Sequence, residues 1–163
     1  MNDRMKKFYM GIAEECANMS RAVRLQVGAV IVKNNNIISF SWNGTPTGWD
    51  NCCEYNDYDL SRDINGDCFP DLENQYPYTD EHGRYALKTK LEVIHAESNA
   101  ISKLARSSES GDGAIMFITH APCIDCAKLI YQSGIATVYY KHDYRSTQGV
   151  QFLNKSNIEV VKV

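Results

Sequence analysis

The sequence predicts a three-layer α/β/α domain built on a mixed sheet of about five strands. The chain has 163 residues, the length of one domain, and its 44% hydrophobic residues suffice for one buried core. A hairpin-like stretch comes first, and apolar runs then alternate with helical patterns. Such alternation is typical of strands joined by crossover helices on the faces of a sheet. We therefore expect residues 1–163 to form a single domain.

The first predicted element is an amphipathic helix over about residues 3–19. Its apolar positions recur with helical spacing, which places four side chains on one predicted face: Phe8, Ile12, Cys16 and Met19.

The later elements follow from apolar periodicity and from turn residues. In chain order they are a strand over 27–33, a turn at 34–36, a strand over 37–42, a helix from 95 to about 106, a strand over 114–119, a helix over 123–133, and strands over 138–141 and 159–161. Gly134 directly after the last predicted helix is typical of a helix C-terminus.

Residues 50–90 have a different composition, rich in Asp, Asn, Tyr, Gly and Pro, with no sustained helix or strand period. A connector of this length is uncommon in a compact domain. We expect an irregular insertion that lines a site or an interface, with a disordered segment as the alternative.

Charge and composition restrict the class of partner. The formal net charge is −3, from 17 basic and 20 acidic residues, which argues against binding a nucleic acid polymer. No apolar run is long enough to cross a bilayer, and the first residues lack the layout of a secretory signal. We expect a cytoplasmic protein, in the host cytoplasm if a phage encodes it. Its six cysteines then indicate metal binding or free thiols and not disulfides.

The stretch LEVIHAESNAISKLA, residues 91–105, places His95 and Glu97 at the start of a predicted helix. A glutamate at a helix start is also simply favourable to the helix dipole, so this pair alone does not indicate a metal site. The stretch HAPCIDCAK, residues 120–128, adds Cys123 and Cys126 at the start of the next helix. A CxxC pair alone fits a redox site or half of a structural zinc site equally well.

Together the two stretches predict a catalytic zinc centre. Each follows an apolar run and begins a helix, and strand-to-helix junctions line up along one edge of an α/β sheet. His95, Cys123 and Cys126 supply N, S and S donors that suit Zn²⁺, with a fourth position open to water. Glu97 is placed to take a proton from that water. The pattern HAE, 24 residues, then PCxxC matches the H-x-E…P-C-x-x-C signature of zinc nucleobase deaminases.

Over nearly its whole length the chain resembles the zinc-dependent cytidine and deoxycytidylate deaminase family, and within it the deoxycytidylate deaminases of phages and eukaryotes. VGAVIVKNNNIISFSWNGTP resembles the family block VGA…I…G-Y-N-G-x-P. HAESNAI and PCIDCAKLIYQSGI resemble the family motifs H-A-E-x-N-A-I and P-C-x-x-C-A-K-x-I-x-x-S-G-I. The resemblance implies the cytidine-deaminase-like fold.

The resemblance also implies the reaction, which converts dCMP and water to dUMP and ammonia. Glu97 would move protons from water to N3 of the base and then to the departing amine. The backbone N–H of Ala96 would bind the base, and Asn43 and Thr45 in the matched block would contact the nucleotide. Asn43 precedes a glycine, so a plain turn residue is an equal alternative.

A nucleotide substrate also needs a phosphate-binding group. Tyr144 and Arg145, in KHDYRSTQG (residues 141–149), resemble a Tyr-Arg pair that some family members place over the 5′-phosphate. The alternative for this stretch is a solvated loop.

Family members are typically homohexamers that dCTP activates and dTTP inhibits, and a bound regulatory triphosphate can bring Mg²⁺ with it. The regulatory loop reads SWNG here, with Ser41 and Trp42 in place of the family glycine and tyrosine. The positions that could reach a regulatory nucleotide are Arg21, Arg24, Gln26, Trp42 and Gly44. Exposed arginines need no such purpose, so this assignment has an equal alternative.

Some phage relatives carry a second, structural zinc. Of its usual ligands only Cys52 is retained, because Ala22 and Val93 occupy the positions of a cysteine and an acidic residue. Three residues of the insertion could rebuild such a site: Cys53, Cys68 and His82. We expect no second zinc.

Three other functions compete with this interpretation. Another zinc deaminase could act on tRNA adenosine, free cytosine or a riboflavin precursor, although the acidic charge balance argues against tRNA. A non-enzymatic zinc-binding module would have no need for Glu97. A CxxC redox protein would leave both His95 and Glu97 unexplained.

Overall fold

The computed structural model describes residues 1–58 and 75–163. Within these ranges the chain forms four helices and eight strands. The helices are α1 (Asp3–Asn18), α2 (Ala96–Leu104), α3 (Ile124–Gln132) and α4 (Gln148–Lys155). The strands are β1 (Gly28–Lys33), β2 (Asn36–Trp42), β3 (Glu54–Tyr58), β4 (Tyr78–Asp80), β5 (Gly83–Thr89), β6 (Ile115–His120), β7 (Thr137–His142) and β8 (Glu159–Lys162).

The main sheet is mixed and has five strands in the order β2-β1-β6-β7-β8. β1 pairs antiparallel with β2 and with β6, whereas β6–β7 and β7–β8 are parallel. The hairpin turn between β1 and β2 consists of Asn34 and Asn35, which have φ values of 51° and 62°. Two successive positive φ values are typical of a type I′ turn, which asparagine tolerates. The predicted sheet is confirmed.

Helices cover both faces of this sheet. α1 packs on one face in a cluster with Val30, Phe117 and Tyr139. The other face carries α2, α3 and α4, whose apolar residues surround Ile31, Met116 and neighbouring side chains in a larger cluster. The three-layer α/β/α arrangement is therefore confirmed.

The predicted apolar side of α1 is only partly buried. Phe8 and Met19 are exposed, and the buried residues of this helix are Tyr9, Met10, Ala13, Cys16 and Ala17. The reason lies at the start of β1, where a Cβ on Gly28 would lie 1.9 Å from the Ala13 carbonyl oxygen. The backbones of α1 and β1 touch there, so small residues of the helix must face the strand.

Two further expectations need correction. α4 was not predicted, because its eight residues contain few apolar positions and a glycine. The expectation of an irregular insertion over residues 50–90 is wrong for 54–58, 78–80 and 83–89, which form a second antiparallel sheet in the order β3-β5-β4. Cross-strand pairing of Tyr and Thr side chains stabilises short strands that show no regular alternation of apolar residues.

A row of three tyrosine rings crosses this small sheet. Tyr85 lies between Tyr58 and Tyr78, with ring centroids 5.5 Å and 5.4 Å apart. The base of the sheet is joined to the segment before β1, because the Glu54 carboxylate accepts hydrogen bonds from the backbone N–H groups of Val23 (3.1 Å) and Arg24 (3.2 Å). In the part of the chain that is described, no helix has the length and apolarity needed to cross a membrane.

Candidate metal and active site

Two helix N-termini meet at the edge of the main sheet. Cys123 follows β6 and is the N-cap residue of α3, and His95 is the N-cap residue of α2. Among the described residues, no strand of the main sheet leads directly into His95, so the expected strand-to-helix junction is absent there. Instead Ile94 forms an isolated antiparallel bridge with Gly44, which directs the chain into α2. The predicted convergence of the two motifs therefore occurs by a different route.

The three predicted metal ligands lie within bonding reach of one ion. Nδ1 of His95 is 3.4 Å from Sγ of Cys126 and 3.6 Å from Sγ of Cys123, and all three donor atoms lie within 4.8 Å of one another. Zn–S bonds of about 2.3 Å and Zn–N bonds of about 2.0 Å imply N···S separations of about 3.5 Å in a tetrahedron. The donor set and its spacing fit Zn²⁺ and leave one tetrahedral position for water.

The electrostatics of the two thiols differ strongly. Hydrogen bonding from the Cys126 thiol, assisted by His95, lowers the pKa of Cys123 to about 4, so this sulfur is a thiolate at neutral pH. The pKa of Cys126 is raised, because its proton is shared with the Cys123 sulfur and because the side chain is buried. The N–H of Ser98 in the first turn of α2 points at the Cys126 sulfur and opposes this rise. Metal binding therefore displaces a proton from Cys126.

Glu97 is the buried acid of the site, with only 4% of its surface exposed. Burial raises its pKa, and this rise is opposed by its own backbone N–H, by the charge of His95 and by a hydrogen bond with Cys126. The carboxyl group therefore lies beside the donor atoms without being one of the three ligands. A buried carboxyl next to a metal site is the arrangement of a general acid–base group.

A comparison of the sequence with known protein families identifies the family of this chain. Residues 3–142 match the family described as the cytidine and deoxycytidylate deaminase zinc-binding region. The chain belongs to this family. The matched range contains the three donor residues and Glu97.

Individual relatives are similar over most of their length. The deoxycytidylate deaminase of Enterobacteria phage T4 is 34% identical over 93% of this chain and 86% of its own length. The enzyme of the same name from Mycobacterium phage D29 is 31% identical, over 82% of this chain and 91% of its own. The crystal structure of dCMP deaminase from the cyanophage S-TIM5, in complex with dCMP and dUMP, has a TM-score of 0.79 and 39% identity, covering 100% of this chain and 99% of that one.

The predicted substrate residues in the loop after β2 already have partners within the fold. The Asn43 side chain accepts a hydrogen bond from the N–H of Val27 (2.8 Å) and donates one to the carbonyl of Leu25 (2.9 Å). Thr45 donates its hydroxyl to the carbonyl of Asp50. Asn43 thus fixes the entry to β1, and its contact with a substrate stays a prediction.

The other predicted substrate groups lie along the same edge. Ala96 occupies the first turn of α2, where backbone N–H groups have no intrahelical partner. Tyr144 and Arg145 follow β7, whose end is parallel and adjacent to the end of β6. The guanidinium carbon of Arg145 lies 5.5 Å from the centre of the Tyr144 ring. Their contact with a phosphate stays a prediction.

A separate cavity of about 860 Å³ lies beside the loop between α1 and β1. Among the described residues its lining is the segment 18–26, which includes the predicted regulatory residues Arg21, Arg24 and Gln26. Trp42 and Gly44 are outside this lining. The predicted regulatory residues therefore lie in two places. Arg21, Arg24 and Gln26 line this cavity, whereas Trp42 and Gly44 lie beside the start of α2.

Within residues 1–58 and 75–163, one cluster alone combines three potential metal donors. Ala22 and Val93, the positions compared above with ligands of a second zinc, pack with Cys53 in a small apolar cluster. His82 lies in the turn of the small sheet, beside Glu81 and Tyr58. Cys68 lies outside the described residues.

The sequence analysis did not identify Gly149, which packs against the backbone at Pro122 and Cys123. Gly149 in α4 is buried, and a Cβ there would lie 2.0 Å from the carbonyl oxygen of Pro122 and 2.8 Å from that of Cys123. The glycine allows α4 to touch the backbone that presents Cys123. The sequence carried no signal for this contact, because α4 itself was not predicted and the close approach is tertiary.

We expect His95→Ala to lose the metal, because two thiols alone do not complete the donor set. The purified wild-type protein should contain about one Zn²⁺ per chain, as measured by inductively coupled plasma mass spectrometry. His82→Ala, which changes an exposed histidine of the small sheet, is the matched control and should retain the wild-type zinc content. Undiminished zinc in His95→Ala would contradict the assignment.

We expect Gly149→Ala to destabilise the fold by about 1–3 kcal/mol and to weaken zinc retention, because the added methyl displaces the Cys123 turn. Gly11→Ala is the control: Gly11 also lies in a helix, but no atom lies within 4 Å of its added Cβ. That control should be neutral or more stable by up to about 1 kcal/mol. Urea unfolding and competition with a chelator measure the two effects, and equal stability in the two variants would refute the role of the close contact.

Proposed function

We propose that this protein is a zinc-dependent dCMP deaminase, which converts dCMP and water to dUMP and ammonia. The observation that carries the proposal is the buried carboxyl of Glu97 beside a His-Cys-Cys donor set that leaves a position for water. The similarity to phage enzymes of that name, including one whose structure contains dCMP and dUMP, supports the choice of substrate.

A bound Zn²⁺ would lower the pKa of a coordinated water and so supply the nucleophile at neutral pH. Glu97 accepts a proton from the attacking water and passes it to N3 of the cytosine. A second proton from the same water then goes through Glu97 to the amino group at C4, which leaves as ammonia. The burial of Glu97 keeps bulk water away from this proton transfer.

The first turn of α2 also orients the base. The N–H of Ala96 donates to O2 of the cytosine, since N–H groups at a helix start are free to bind an acceptor. Asn43 and Thr45 contact the sugar side of the nucleotide from the neighbouring loop. The bridge between Gly44 and Ile94 supports this step, because it joins that loop to the residue before His95.

Arg145 and Tyr144 bind the 5′-phosphate. The guanidinium presents several N–H donors that match phosphate oxygens, and its approach to the Tyr144 ring limits its freedom. Both residues follow β7, whose end lies beside the end of β6, and Cys123 follows β6. This placement supports a contact with a nucleotide that is bound next to Cys123.

The enzyme is regulated by dCTP as activator and dTTP as inhibitor, within a cytoplasmic homohexamer. The cavity lined by residues 18–26 supports a nucleotide site, because Arg21 and Arg24 offer positive charge to the phosphate oxygens of a triphosphate that carries Mg²⁺. Glu54 links this segment to the small sheet. A nucleotide bound in the cavity would therefore affect both the segment 18–26 and the small sheet.

Glu97→Gln should retain zinc and reduce kcat by about 10²- to 10⁴-fold, because glutamine cannot carry the proton. The ultraviolet change on conversion of dCMP to dUMP measures turnover. Glu92→Gln, which alters a partly exposed carboxylate in the segment before His95, is the control and should keep wild-type turnover. Activity of Glu97→Gln near the wild-type level would rule out the proton-transfer role.

Arg145→Ala should raise KM for dCMP about 10- to 100-fold, the loss expected for a hydrogen bond to a charged group, and leave the rate on deoxycytidine unchanged. Assays with dCMP, CMP, deoxycytidine and dCTP, each with and without dCTP or dTTP as effector, measure both substrate choice and regulation. Arg106→Ala, an exposed arginine beyond the other end of α2, is the control. Equal wild-type rates on dCMP and deoxycytidine would show that the 5′-phosphate is not required and would contradict the proposed role of Arg145.

A further inference from the structure

The segment Ser41–Gly44 is bonded to the start of α2 on both sides of His95. Before the histidine, Gly44 and Ile94 exchange two backbone hydrogen bonds of 3.1 Å and 2.9 Å. After it, the hydroxyl of Ser41 donates to the carbonyl of Ala96. The contact with Ala96 is central, because this residue lies between the metal ligand His95 and the acid Glu97.

Ser41 is completely buried, with 0% of its surface exposed. It stands where the related family block has a glycine, which carries no hydroxyl. The Ala96 carbonyl is already placed to accept the helical hydrogen bond of α2, so Ser41 adds a second donor to this oxygen. The hydroxyl therefore fixes the direction of the peptide group that leads into Glu97.

A second serine on the same strand makes the same kind of contact one helical turn later. Ser39, 8% exposed, donates its hydroxyl to the carbonyl of Ala100 at 2.8 Å. The two serines are two residues apart and so face the same side of β2. They differ in their distance along α2 from Glu97, which makes Ser39 a matched control.

Two side chains of α2 in turn donate hydrogen bonds to backbone carbonyls of β2. Asn99 donates to the carbonyl of Trp42 at 3.1 Å, and Lys103 donates to the carbonyl of Phe40 at 3.1 Å. The ammonium of Lys103 also lies 5.2 Å from the centre of the Trp42 ring. β2 is an edge strand of the main sheet, so these contacts satisfy carbonyl groups that no neighbouring strand can pair.

We propose that Ser41 is a positioning residue for Glu97. The inference rests on the proposed function, in which Glu97 moves the protons. With the hydroxyl in place, the first turn of α2 holds the carboxyl at the reacting atoms. Without it, the rest of the attachment keeps α2 on β2 while the first turn loses its fixed direction. Small displacements of a reacting group cost large factors in rate.

The test compares Ser41→Ala with Ser39→Ala in the zinc-loaded protein. Each variant removes one buried hydroxyl from the same strand, so the two should lower Tm by similar amounts. Ser41→Ala should reduce kcat for dCMP by about 10-fold or more with little change in KM, whereas Ser39→Ala should stay within about 2-fold of wild type. Zinc content should be unchanged in both variants.

A double variant shows whether Ser41 acts through Glu97. Adding Ser41→Ala to Glu97→Gln should reduce the residual rate no further, because the group that Ser41 positions is already disabled. Equal kcat values for the two serine variants, full additivity with Glu97→Gln, or a loss of zinc in proportion to the loss of activity would each overturn the proposal. If Ser41→Ala does not fold, Ser41→Gly, with the residue of the family block, gives the same comparison.

Hydrogen exchange separates this inference from the proposed function. If the wild-type protein deaminates none of the cytosine substrates, the proposed function fails. Amide exchange in α2 then tests the attachment alone: Ser41→Ala should accelerate exchange at Asn99 and Ala100, whose N–H groups close the first turn. Ser39→Ala should accelerate it only later in the helix. Identical exchange profiles in the two variants would overturn the positioning role.

Discussion

His95 and Cys123 each occupy the N-cap position of a helix, and α2 and α3 bring Nδ1 and Sγ of these residues to 3.6 Å of each other. An N-cap side chain usually accepts a hydrogen bond from its own helix, but that of His95 makes no such bond. Its ring points instead at two sulfurs. The positive ends of the two helix dipoles meet where thiolate charge collects, and this electrostatic match stabilises the cluster. Every other feature of the site supports this meeting of helices.

The buried carboxyl of Glu97 depends on the same arrangement. Burying an acid without partners favours its neutral form, and here its own N–H, the Cys126 thiol and the His95 charge oppose that tendency. The start of α2 must therefore be held firmly. Contacts from β2 and from Gly44 hold it from one side, while Gly149 lets α4 approach the Cys123 turn on the other.

The sequence was sufficient to predict the mixed sheet and the cluster of one histidine and two cysteines, because each depends on a local pattern: apolar periodicity, helix starts and donor spacing. The catalytic role of Glu97 stays a prediction. The exposure of Phe8 and Met19 could not be predicted, since it follows from backbone contact between α1 and Gly28. The small tyrosine-rich sheet depends on pairing between distant strands. The role of Ser41 required knowing which carbonyl its hydroxyl reaches, and this is a tertiary contact across 55 positions of the chain.

The central claim is that three protein ligands, two of them sulfur, hold one zinc ion with a position left for water. X-ray absorption at the zinc edge of the purified protein tests it most directly. We predict two sulfur neighbours at about 2.3 Å and two nitrogen or oxygen neighbours at about 2.0 Å. A shell of four sulfurs, or one without sulfur, would contradict the assignment of His95, Cys123 and Cys126 as the metal ligands.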